Sequence, residues 1–115
     1  MYRYRQPEAA VTRKSLIKFK KHRHKIGEVV RLKGYCYIAN CHKRVVVLIV
    51  GTTGTMRLDG FAWGYGGEGP RGLRVVLEEL KVPEDAIANI IATKWDGLDL
   101  IGTAWSYKCE QRDLA

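Results

Sequence analysis

The sequence predicts an α+β domain, a small antiparallel sheet with two helices packed on one face, and three observations carry that prediction. Val45-Val-Val-Leu-Ile-Val50 is an unbroken, mostly β-branched run of strand length, the pattern of a strand buried on both faces. Leu73, Val76, Leu77 and Leu80 recur at i, i+3, i+4 and i+7, a one-sided helical stripe. The strand-like segments precede the helical ones instead of alternating with them, which segregates sheet from helices.

Each element can be justified in chain order. Residues 1–14 read as a loose leader, with Pro7 discouraging regular structure. Leu16–Lys25 is ambiguous: Ile17 and Phe19 alternate with Lys18 and Lys20 as in a strand, whereas Leu16, Phe19 and Lys20 also share a helical face. Residues 1–25 are therefore expected to form a basic, partly ordered arm, and residues 26–115 a single α+β domain. Ile26–Gly34 reads as a short strand closed by glycine, Tyr35–Ala39 continues β-rich, and Asn40 marks a turn. After Val45–Val50, Gly51-Thr-Thr-Gly54 turns the chain into a return strand, Thr55–Leu58. Pro70 suits the first turn of a helix, and Val82-Pro83 ends that helix. A second helix opens at Pro83-Glu-Asp, with acids at its N-terminus and Ile87, Ile90 and Ile91 on its buried face. Leu98–Tyr107 reads as a closing strand or extended edge.

The 115 residues hold one domain's worth of core, and 46% hydrophobic content argues against disorder. No apolar run approaches the roughly 20 residues that cross a bilayer, and the polar N-terminus lacks the apolar stretch of a signal peptide. A cytoplasmic protein with no membrane partner is expected. Three cysteines, an odd number, argue against a disulfide framework. Cys36-x4-Cys41-His42 looks like half a zinc site, but no second pair accompanies it. Neighbours on a strand also point to opposite faces, so Cys36, Cys41 and Cys109 are expected as free thiols, with no metal and no cofactor.

Charge is unevenly placed. The net +8 divides into 13 Lys/Arg against 2 Asp/Glu in residues 1–44, and 7 against 10 in residues 45–115. A basic face on a slightly acidic body points to phosphate-bearing partners. Arg13, Lys14, Lys18, Lys20, Lys21, Arg23 and Lys25 form the densest cluster, with Phe19, His22 and His24 interleaved. This composition suits sequence-independent contact with a nucleic-acid backbone; the bland alternative is a solvated face that keeps a small protein soluble. The two histidines read as part of the same positive surface.

Phe61–Arg71 is the most distinctive stretch, with four glycines and three aromatic residues leading into a helix. Glycine-rich backbone at a helix N-terminus leaves amides that can hold an anion. In that reading Gly64, Gly66, Gly67 and Gly69 form the cradle, Arg71 and Arg74 neutralise a phosphate, and Trp63 or Tyr65 stacks on a base. The alternative is a packing corner in which glycines let the aromatics tuck under the helix. Glu68 opposes an anion, and the spacing fits neither a P-loop nor a dinucleotide fingerprint. No catalytic residue is assigned: Asp59, Glu68, Glu78 and Glu79 form no evident pair, and Ser15 and Ser106 lack a nucleophile motif.

Gly60-Phe-Ala-Trp-Gly-Tyr-Gly-Gly-Glu-Gly-Pro-Arg-Gly-Leu73 resembles a family of short uncharacterised bacterial, plasmid and phage proteins. Their signature is [FW]-x-W-G-Y-x-G-x-G-P-x-x-L-A. Phe61, Trp63, Gly64, Tyr65, Gly67, Gly69, Pro70 and Leu73 match, whereas Arg74 replaces the usual alanine. The resemblance covers the loop and helix, excludes the basic first 44 residues, and implies a mobile-element or phage setting with no established activity. The expectation is a non-enzymatic, phosphate-ligand-binding protein whose leading partner is nucleic acid. Alternatives are a nucleotide-binding or signal-sequestering protein that uses the glycine loop at a homo-oligomer interface, and an inhibitor that docks its basic arm on a host protein.

Overall fold

The computed structural model describes residues 1–6, 11–94 and 102–109. The elements run β1 (Tyr2–Arg5), α1 (Thr12–His22), a single 3-10 turn (Arg23–Lys25), β2 (Val29–Ala39), β3 (His42–Gly51), β4 (Gly54–Leu58), α2 (Glu68–Glu79), α3 (Glu84–Ile91) and β5 (Gly102–Lys108). The strands form one sheet in the order β1-β4-β3-β2-β5. Among the described residues, only β1 and β4 pair in parallel. The fold is α+β and the sheet mostly antiparallel, with five strands and three helices among the described residues.

The described parts of residues 1–25 differ from the expected arm. Tyr2–Arg5 contributes an edge strand and Thr12–His22 a helix to the domain. The apolar stripe of α1 is thin in sequence because two of its buried positions are hydroxyl residues. Thr12 and Ser15 are buried along with Phe19. Thr12 Oγ1 donates to Gly60 O at 2.7 Å, Ser15 Oγ donates to Gln6 Oε1 at 2.8 Å and accepts from Gly60 N at 2.8 Å. Bonded hydroxyls can be buried without the usual desolvation cost, so the helix docks where a count of apolar residues finds too few. Lys20 and Lys21 in the last turn complement the negative end of the helix dipole.

Two-residue periodicity organises the sheet. Leu32, Gly34 and Cys36 of β2 stand opposite Ile49, Val47 and Val45 of β3, which in turn stand beside Met56 and Leu58 of β4. These residues join Phe19 of α1, Leu73, Val76 and Leu77 of α2, Ile87 and Ile90 of α3, and Trp105 of β5 in one core. All three helices therefore cover the same sheet face. Gly34 does not close its strand. It makes room for Trp105, since a Cβ there would lie 2.2 Å from the indole Nε1. The β2–β3 hairpin turns at Asn40 and Cys41, with φ of 52° and 64°, the pair of positive values a type I′ turn requires.

The helices end as their sequences dictate. After α2, Lys81 sits at φ 61°, Lys81 N donates to Glu78 O, and Val82 N donates to Leu77 O, each at 3.0 Å. This is a Schellman closure, with buried Val82 packed at the helix end. The closing strand is β5, and Leu98–Ile101 of the expected segment lie outside the described residues.

Candidate nucleic-acid interface

The glycine–aromatic loop is chiefly a packing corner. Trp63 is 0% exposed and Phe61 2% exposed, and Trp63 meets Trp105 edge-on with centroids 5.6 Å apart. Trp63 therefore cannot stack on a base; its ring is core. Gly64 takes φ 86°, and its amide donates to Ile91 O at 2.7 Å, which ties the loop to α3 and removes that amide from any cradle. Gly69 is pressed against Ala62, whose Cβ would lie 2.9 Å from an added one. Arg74 is engaged by Glu84, 2.8 Å away, with Glu78 at 4.0 Å. At the start of α2, Pro70 has no N–H, Arg71 N bonds to Gly67 O, and Glu68 already answers the positive end of the dipole. Tyr65, Gly66 and Arg71 stay exposed and Gly67 half-exposed, too few groups to enclose a nucleotide.

The basic helix keeps part of its expected surface. Arg13, Lys14, Lys20, Lys21, His24 and Lys25 are exposed and Lys18 half-exposed. Two of the seven cations turn to the protein's own acid: Arg23 Nη1 lies 2.8 Å from Glu79 Oε2, and Lys20 Nζ lies 3.9 Å from its Oε1. Lys25 sits 5.5 Å from the Tyr2 ring centroid. His22 belongs to the fold, stacked on Tyr4 at 4.0 Å with Nδ1 accepting from Tyr2 Oη. Burial, then the neighbouring Lys25, Lys21, Lys18 and His24, pull its pKa down, so the ring is neutral at pH 7 and adds no positive charge.

A larger cationic surface lies on the sheet face away from the helices. The strands contain Arg3, Arg5, Arg31, Lys33, Lys43, Arg44, Arg57 and Lys108 and no Asp or Glu. Register places Arg3, Thr55, Val50, Arg31 and Lys108 in one row across the face, and Arg5, Arg57, Leu48, Lys33 and Ser106 in the next. Further along, Tyr35 pairs with Val46 and Thr103, and Tyr37 with Arg44. Five strands at about 4.8 Å spacing make a platform about 20 Å across. Lys43 falls on the other face, where its charge acts on Cys36.

Arg57 organises the centre of this platform. Because β3 lies between β4 and β2, its side chain reaches across β3 to the tyrosines. Nη2 donates to Tyr37 Oη at 2.7 Å, and the guanidinium carbon stands 5.1 Å from the Tyr37 centroid and 5.8 Å from that of Tyr35. The two rings are 6.4 Å apart. Asp59 Oδ1 lies 3.8 Å from Arg57 Nε, and neither atom has a hydrogen-bond partner. Burial raises the Asp59 pKa although Arg57, Arg5 and Arg44 all pull it down. The Asp59 carboxylate is thus largely withdrawn from solvent.

Sequence reasoning missed this surface, although its signal was present. Arg31-x-Lys33-x-Tyr35-x-Tyr37 and Tyr2-Arg3-Tyr4-Arg5 both alternate with period two, which sorts cations onto one face of a strand. Among the described residues, no group of three or more His, Cys, Asp or Glu could hold a metal, and no helix is long and apolar enough to cross a membrane. Cys36 is buried, Cys41 lies on the exposed hairpin turn, and Cys109 is half-buried beyond β5. The chain matches no family model, no curated protein and no solved structure.

Proposed function

We propose that this protein is a non-enzymatic, cytoplasmic nucleic-acid-binding protein that grips the phosphate backbone with a cationic surface. The carrying observation is the distribution of charge on the helix-free sheet face: Arg3, Arg5, Arg31, Lys33, Arg44, Arg57 and Lys108, against the shielded carboxylate of Asp59. Arg13, Lys14, Lys18, Lys21 and Lys25 of the α1 region add a second group of cations on the helix whose His22 stacks on Tyr4 of β1. A surface of this kind binds polyanions by displacing their counterions, independently of sequence. The mobile-element setting implied by Gly60–Leu73 accords with such a role. The nucleotide-cradle alternative is weakened by the burial of Trp63, the engaged Gly64 amide and the Arg74–Glu84 pair.

Fluorescence anisotropy with a labelled oligonucleotide, across a salt series, tests the reading. Five or more phosphate contacts predict a loss of about 100-fold or more in affinity between about 50 and 200 mM salt. Glutamate at Arg31, Lys33 and Lys108 together should abolish measurable binding while leaving the circular dichroism spectrum unchanged. Salt-insensitive binding, or none at low salt, would sink the proposal.

A further inference from the structure

Resting on that reading, we infer that the ligand is single-stranded nucleic acid and that Tyr35 and Tyr37 form its base-stacking platform. Phosphate contacts alone do not distinguish strand from duplex, but the arrangement around the two rings does. Tyr35 and Tyr37 are both half-exposed and project from β2, the strand between β3 and β5. Their 6.4 Å separation is one same-face step along a strand. Arg57 fixes Tyr37 by its hydroxyl and stands against both rings. A rigid ring loses less freedom on binding than a mobile one. Thr103, the neighbour of Tyr35 on the β5 side, is small, and the cations occupy the adjoining rows.

Stacking on a protein ring requires a base whose flat face is available. In a duplex each base face is covered by the next pair, so rings standing on an open sheet can engage only unpaired bases. Backbone phosphates running beside those bases would meet Lys33, Arg44 and Arg31, which lie on the same face of β2 and its neighbour β3. Aromatic stacking tolerates any base, and among the described residues the platform's strands carry no Asp, Glu, Asn or Gln on this face to read one. The binding is accordingly to strandedness, not to sequence.

Three labelled probes of about 15 nucleotides, within the span of known single-strand sites, test the inference by anisotropy: oligothymidine, a strand of equal length and charge with abasic sites throughout, and a matched duplex. Oligothymidine should bind about 5-fold or more tighter than the abasic strand, and tighter than the duplex. The Tyr35→Ala/Tyr37→Ala variant should lose that advantage and bind the abasic strand as the native protein does. The Tyr35→Phe/Tyr37→Phe variant keeps the rings, removes the hydroxyl that Arg57 uses, and should retain the preference. Equal affinity of the native protein for the base-bearing and abasic strands overturns the inference even if the alanine variant fails to fold, as does tighter binding of duplex. Salt-sensitive binding without preference for bases leaves the parent reading standing; failure to bind any probe removes both.

Discussion

Phe61–Arg71 and the helix-free sheet face both bring aromatic rings close to arginines, yet they present them in opposite ways. In the loop, Phe61 and Trp63 are buried, and just beyond it Arg74 is held by Glu84, so that of the loop's rings and cations Tyr65 and Arg71 are the ones that meet solvent. On the sheet, Tyr35 and Tyr37 stand at the surface, with Arg57 as their support. The backbone makes the difference. A glycine-rich segment that turns into a helix over the core carries its rings inward. A strand with one face already packed has nowhere to put alternate side chains except outward. The two regions also meet physically: Trp63 abuts Trp105, which lies over Gly34, and Gly34 separates Lys33 from Tyr35 on β2. The loop is thus part of the footing beneath the proposed binding surface.

Four experiments test this contrast. Trp63→Ala should cost about 3–5 kcal/mol, as truncation of a fully buried indole does, read from urea unfolding; a change within experimental error would mean that the loop is not footing at all. Gly34→Val, which drives a side chain into Trp105, should cost about 1–3 kcal/mol, and its effect should be less than additive with that of Trp63→Ala because the sites share Trp105. A smaller effect is expected at Asp59. Its folded-state pKa is raised by burial above the ordinary 3.8, so the folded protein holds this proton more tightly than the unfolded chain. That contribution to stability is full below the unfolded value and is lost as pH rises through the raised one. Asp59→Asn should therefore be modestly stabilising at neutral pH and flatten the pH profile in the acid range; a loss of stability at pH 7 would show the Arg57 pair to outweigh burial. Smallest of all, Tyr65→Ala with Arg71→Ala should change single-strand affinity by less than about twofold, since one exposed cation contributes little at moderate salt. A tenfold loss would return the loop to the binding site.

How far the sequence could be read follows from where apolar residues were dense. The Val45–Val50 run emerged as a strand with Val46 buried opposite Val47 and Ile49, and the Leu73–Leu77 and Ile87–Ile90 stripes became the buried faces of α2 and α3. What escaped was held by other forces. The inward face of α1 owes as much to the Thr12 and Ser15 hydroxyls as to Phe19. Strand β1 is fixed by pairing with β4, whose partner residues lie 52 positions away in sequence. Such long-range pairing leaves little local trace. The sheet platform was hidden for a related reason, because its cations are scattered over five strands and only register assembles them. Lysine density in Arg13–Lys25 was conspicuous by comparison, yet Arg23 and Lys20 are turned toward Glu79.

The parallel pairing of β1 has a consequence for handling the molecule. Four residues shield the outer rim of β4, and without them the amides and carbonyls of Thr55–Leu58 would face water as a ready template for another chain. A protein trimmed by a protease at residue 6 would lose Arg3 and Arg5 and gain adhesive backbone at once. Such a clipped form should associate or aggregate through that rim, which makes the Tyr2–Arg5 strand a condition for handling the native fold.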